Sequence, residues 1–169
     1  RGLADAITEE LKAADIDSSN LRDVIRISGC PNSCANHHIA NLGFQGRAKR
    51  INGRLVPFYD VLFGAKLSEG DTKLAKRIGS LPAKRVPQLV GEYFSGKQKK
   101  QRLDSLVTGF AELPEDIPED FYYDYGSDQP FSLAGRGAGE CGAGVLDVIR
   151  LDIHQSKDSL KAAKKQESE

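Results

Sequence analysis

Apolar and polar positions alternate along this chain with two different periods. Leu3, Ile7, Leu11 and Ala14 fall on one stripe at helical spacing, which predicts a helix over residues 2–14. Val24-Ile25-Arg26-Ile27 is a short β-branched run and predicts a strand. Residues 39–63 read as a β-hairpin, with arms near 39–51 and 55–63 and a turn at Asn52-Gly53. Both central residues of a type I′ turn need positive φ, which Asn and Gly supply at low cost. Pro57 cannot donate to a ladder, so it marks an edge or a bulge. Residues 65–82, rich in Gly, Ser and charge, read as a connection. Val86, Leu89, Val90, Tyr93 and Phe94 give one face of a helix over 84–96, with Pro87 in its first turn and Gly96 at its end. Leu103, Leu106, Val107 and Phe110 predict a second, shorter helix.

From Leu113 the pattern changes. Pro114, Pro118 and several acids mark a linker, and Phe121-Tyr122-Tyr123-Asp124-Tyr125 is an aromatic clasp suited to packing on the preceding domain. A glycine-rich loop over 135–144 leads into a helix over 144–165. Its stripe of Val145, Ile149, Ile153 and Leu160 is sparse, so the helix needs a partner: the rest of a longer protein, or a second chain in a homo-oligomer. The expected class is α+β, a small antiparallel or mixed sheet with flanking helices and a helical C-terminal extension. Residues 1–112 form the domain, and 113–169 carry the acidic linker, the glycine-rich loop and the last helix.

Composition narrows the functional classes. Apolar residues make up 39% of the chain and charged residues 28%, enough for a modest core. Lys+Arg and Asp+Glu are both 24, which argues against a nucleic-acid binder driven by bulk charge. No apolar run approaches the roughly 18–20 residues of a membrane span. Three cysteines do not make a disulfide framework, so the reducing cytoplasm is the expected compartment.

The chemistry concentrates in Ile27-Ser28-Gly29-Cys30-Pro31-Asn32-Ser33-Cys34-Ala35-Asn36-His37-His38. Gly29 and Pro31 force a turn around the first cysteine. Such a turn presents both thiols on one exposed or cleft-lining surface, and thiolates favour zinc, copper(I) or iron–sulfur clusters. Two thiols complete neither a tetrahedral site nor a cubane. His37 and His38, read as neighbours on an extended strand, point to opposite faces, so that one ring is turned away from any site.

Ser28-Gly29-Cys30-Pro31-Asn32-Ser33-Cys34, followed by Asn41-Leu42-Gly43-Phe44, resembles the second cysteine pair of sirohaem-dependent nitrite and sulfite reductases. The resemblance runs through Gln45-Gly46 to about Ala111. Asn41 stands where the family carries an acid. The resemblance implies a nitrite/sulfite reductase half-domain, with Cys30 a ligand of a [4Fe–4S] cluster and Cys34 the ligand bridging the cluster to the sirohaem iron. With a cofactor here, Asn32 and Asn36 are candidate hydrogen-bond donors to it, or else plain turn residues, and His37 is a candidate neighbour of a cofactor carboxylate, or else a donor to a backbone carbonyl. The resemblance also implies reduction of nitrite or sulfite with electrons from a donor such as ferredoxin or a flavoprotein. The family's first pair, Cys-x5-Cys, lies upstream, as do most of its substrate-facing Arg and Lys residues. The chain is therefore expected to be a fragment without catalytic residues of its own, inactive and without an intact cluster unless the upstream half of the reductase is supplied.

Other features carry weaker chemistry. Arg47, Lys49, Arg50 and Arg54 surround the hairpin, either as a solvated tip or as a patch for cofactor carboxylates or an acidic redox partner. Gly137, Gly139 and Gly142 match G-x-G-x-x-G in form, but no strand and βαβ unit frame them. Cys141, just before the last helix, is either a thiol activated by the helix dipole or a small structural residue. Lys97–Arg102 reads as a basic helix end. Two readings from other classes compete with the reductase: a zinc-binding structural module using Cys30, Cys34 and His37 or His38, and a non-catalytic domain that associates through 144–165.

Overall fold

A computed structural model describes residues 2–17, 19, 24–96, 103–134 and 145–167. The basic run at 97–102 and the glycine-rich loop with Cys141 lie outside the described residues. Helix α1 (Gly2–Ala13) is followed by strands β1 (Ile25–Ser28), β2 (Leu42–Ile51), β3 (Arg54–Phe63) and β4 (Lys76–Pro82), then by helices α2 (Val86–Ser95), α3 (Leu103–Ala111) and α4 (Val145–Glu167). The strands form one sheet in the order β1-β2-β3-β4, with β1 parallel to β2 and the other pairs antiparallel. The expected α+β class with a mixed sheet is what forms.

The hairpin turns at Asn52-Gly53, with φ of 51° and 77°, and pairs Leu42 with Phe63 through Ile51 with Arg54. Its first arm begins at Leu42, because Ile39 is taken up by a 3-10 turn, His37–Ile39. Pro57 sits in a strand flanked on both sides, but the β4 ladder starts only at Phe58, so Pro57 has no β4 partner to fail. Strand β4 is a correction to the connection expected over 65–82. It alternates poorly in sequence and is held by pairing with β3, with a register shift between Val61 and Leu62.

Period-2 alternation gives the sheet two faces. Leu42, Phe44, Tyr59, Val61 and Leu81 meet Leu3, Ile7 and Leu11 of α1, Val86, Leu89 and Val90 of α2, and Leu103, Leu106 and Val107 of α3. Each fully buried Leu or Phe here contributes about 1.5–3 kcal/mol. Val56 and Phe58 point the other way and pack with Phe121 and Tyr122, backed by Ile51, Leu113, Ile117 and Tyr123. The aromatic clasp thus packs Phe121, Tyr122 and Tyr123 on the outer face, at the hairpin end, while its Tyr125 joins the cluster on the helix side. Arg54 ties it down with a bidentate pair to Glu119 at 2.6 and 2.7 Å and stacks over Tyr122 at 3.7 Å. No helix of the described residues is long and apolar enough to cross a membrane.

Candidate functional site

Parallel strands cannot be joined by a tight turn, so β1 must reach β2 by a crossover. Residues 29–41 are that crossover, and they hold Cys30, Cys34, Asn36, His37 and His38. The loop is closed locally. The Ala35 N–H donates to Ser28 Oγ at 3.3 Å, and the Asn36 N–H to the Ser33 carbonyl at 2.7 Å. Ser33 and Asn36 both take positive φ, 55° and 53°. Asn accepts that conformation readily, whereas at Ser33 it costs of order 1 kcal/mol.

Two glycines of β2, three residues apart and so on opposite faces of the strand, let this loop approach it closely. A Cβ on Gly46 would strike the carbonyl of Gly29, and a Cβ on Gly43 would strike the carbonyl of His37. The crossover backbone is therefore seated directly on β2 at both ends. That seating buries alternate parts of the loop: Cys30 is 4% exposed and His37 fully buried, whereas Asn32, Cys34 and Asn36 are exposed. The turn does not present its two thiols alike. Cys34 faces outward with the two asparagines, and Cys30 belongs to the interior.

The histidines depart from expectation. They are not strand neighbours but consecutive residues of a 3-10 turn, where successive side chains do not alternate by 180°. Their rings lie together, with centroids 4.0 Å apart at 42°. His37 Nε2 is 3.0 Å from Gln45 Oε1, and its Nδ1 is buried with no hydrogen-bond partner. Donation from Nε2 to Gln45 leaves Nδ1 as the unprotonated nitrogen. Burial, then the neighbouring His38, push the His37 pKa down, against a smaller upward effect of Gln45.

Gln45 opens onto a polar row across the outer face. It pairs with Asp60 in the ladder, and Asp60 pairs with Ser80. Asp60, only 7% exposed, takes Arg47 at 2.9 Å and Arg77 at 2.9 Å. Lys49, stacked over Phe58 at 4.2 Å, has its pKa pushed down by burial and by Arg47 and Arg77, with Asp60 opposing. Of the basic groups around the hairpin, Arg47 is thus committed to Asp60, Arg54 to Glu119, and Arg50 to the Gly53 carbonyl at 2.8 Å. Sequence reasoning passed over Gln45, Asp60 and Arg77, because their partners are distant in the chain.

The donor set can be weighed against the groups the motif suggests. Among the described residues no three His, Cys, Asp or Glu side chains gather as a metal site. Neither His37 nor His38 joins the cysteines, since the His37 imidazole is engaged by Gln45 and stacked on His38. The zinc module built on Cys30, Cys34 and a histidine is therefore not formed by these residues. For a [4Fe–4S] cluster the turn offers two of the usual four thiolates, so the described residues do not complete that site either.

No protein-family model matches the chain, and no curated protein matches it significantly. Among solved structures, it is similar to the structure of Mycobacterium tuberculosis NirA protein, at 24% identity and a TM-score of 0.45. That match covers 63% of this chain and 21% of the other, so the chain spans about a fifth of that protein's length.

Proposed function

We propose that this chain is a segment of a sirohaem- and [4Fe–4S]-dependent reductase of nitrite or sulfite, the segment carrying the second cysteine pair. One observation carries the reading. The run Ser28-Gly29-Cys30-Pro31-Asn32-Ser33-Cys34, which resembles that family's motif, occupies a parallel crossover locked onto its own sheet by Ser28, Gly43 and Gly46. A metal mount benefits from a loop fixed by backbone seating rather than by side chains alone. In this reading Cys30 and Cys34 supply two cluster thiolates, Cys34 faces the tetrapyrrole, and Asn32, Asn36 and His37 border it. When bound, the two groups would supply the electrons and the iron at which the oxyanion is reduced.

This chain's own residues hold and shield. The Ser28 bond fixes the span between the thiols, and burial keeps water from Cys30. The neutral His37–Gln45 pair keeps an uncharged wall beside the turn. The remaining thiolates come from an upstream half of the reductase, and electrons from a donor such as ferredoxin or a flavoprotein in the cytoplasm. The segment alone is inactive in this reading.

The test is anaerobic reconstitution with iron and sulfide, of the chain alone and of the chain with an upstream segment bearing Cys-x5-Cys. Iron is expected only in the second sample, at four atoms per cluster, and is lost on Cys30→Ser or Cys34→Ser. A full cluster on the chain alone, or none in either sample, would overturn the reading.

A further inference from the structure

Helix α4 carries a surface that the domain does not use. Its described side chains, at 149–150 and 152–164, are all exposed. Ile149, Ile153 and Leu160, large hydrophobics among its described side chains, are 45%, 49% and 56% exposed. They stand four and seven residues apart. Filling the spacing gives Ile149, Ile153, Ser156, Leu160 and Ala163, the alternating steps of four and three of a heptad seam, and in sequence Leu146 extends it by one step. Ser156 fits this seam: its hydroxyl donates to the Asp152 carbonyl at 2.8 Å, so its polar group is satisfied within the helix.

The opposite side of the helix is organised differently. His154 Nε2 is 3.2 Å from Asp158, and Lys161 Nζ is 3.8 Å from the same carboxylate. These three occupy the heptad positions farthest from the seam. Among its described side chains, the helix therefore pairs His154, Asp158 and Lys161 on one side and leaves Ile149, Ile153 and Leu160 open on the other.

Charges flanking the seam choose the occupant. One flank carries Arg150, Lys157 and Lys164, the other Asp152 and Ser159. An antiparallel pair of these helices would set the cationic flank against itself. A parallel pair would set Asp152 of each helix against Lys157 of the other, twice per dimer by symmetry. The small residues Ser156 and Ala163 narrow the lower seam and let two helices approach closely.

We propose that α4 pairs in parallel with α4 of a second copy of this chain, through the seam of Ile149, Ile153, Ser156, Leu160 and Ala163 and the Asp152–Lys157 flanks. The proposal is independent of the redox reading, because it uses no residue of the cysteine crossover.

Sedimentation equilibrium of the full chain, from low micromolar to near millimolar, tests it. The wild type is expected to move from monomer to dimer across that range, and Ile153→Asp to stay monomeric. Ile153 is exposed, so the domain's own melting and circular dichroism are expected to be unchanged in that variant. Asp152→Lys and Lys157→Asp singly are each expected to weaken the dimer by about tenfold. The double variant, and an equimolar mixture of the two single variants, are expected to regain it, because both arrangements restore opposite charges only in a parallel pair. A wild type monomeric throughout, a dimer indifferent to Ile153→Asp, or a double variant no stronger than the singles would each overturn the proposal.

Discussion

Arg47 and Asp60 lie diagonally across the β2–β3 ladder, with Arg47 Nη1 2.9 and 3.2 Å from the two carboxylate oxygens. Arg47 pairs with Phe58 and Asp60 with Gln45, so the two are two residues apart on one face. Arg77 reaches the same carboxylate from β4. One nearly buried acid thus ties three strands together on the outer face.

Asp60→Asn keeps the shape and removes the charge that Arg47 and Arg77 share. The loss is expected to be about 1.5–3 kcal/mol, the range for hydrogen bonds to charged groups, held to its lower half by the exposure of both arginines. Urea denaturation of the variant against the wild type measures it. An unchanged midpoint would mean that the ion pairs add nothing beyond solvation.

Gly46→Ala tests the seating of the crossover. Its new Cβ would meet the Gly29 carbonyl, a backbone atom that can yield only by moving the cysteine turn. Overpacking of this kind costs about 1–3 kcal/mol. In a Cys141→Ser background, a thiol reagent is expected to label Cys34 quickly and Cys30 slowly. Gly46→Ala should bring the slow thiol closer to the fast one. Equal rates for both thiols in the parent would contradict the burial of Cys30.

His37 makes stability depend on pH, and the sign follows from its depressed pKa. The unfolded chain takes up a proton near the ordinary value of about 6.5, while the folded chain resists it. Stability from this residue is therefore full above that value. It falls as pH drops through it, until the lower folded pKa is reached. His37→Gln should be less stable at pH 8 but should lose this part of the acid slope. Denaturation curves at several pH values that stay parallel for the two proteins would show that His37 does not titrate between the states.

Phe121→Ala removes the aromatic anchor of the outer cluster with Val56 and Phe58. The expected cost is about 3–5 kcal/mol, as for other buried aromatic truncations. Arg54→Ala breaks the bidentate contact to Glu119 but leaves that anchor in place. Limited proteolysis should cut within 113–131 readily in the first variant and only slightly in the second. The opposite order would make the ion pair, not the ring, the fastening of this segment.

Elements whose cause is local were legible in the chain. The Asn52-Gly53 turn needs only two residues with positive φ. The apolar stripes of α1, α2 and α3 follow from helical spacing. The cysteine turn could be located because Gly29 and Pro31 act on their own backbone. What the tertiary structure decided depends on residues far apart in sequence. Strand β4 exists because β3 offers it a ladder, although its own alternation is weak. Cys30 is buried and Cys34 exposed because Gly43 and Gly46 draw the crossover onto β2. The two histidines share one side because a 3-10 turn replaces the strand that their apolar flank suggests. Asp60 could not be matched to Arg47 and Arg77 until the sheet brought three strands side by side. Local backbone preference is written residue by residue, whereas burial and charge pairing arise only when the sheet sets distant segments in register.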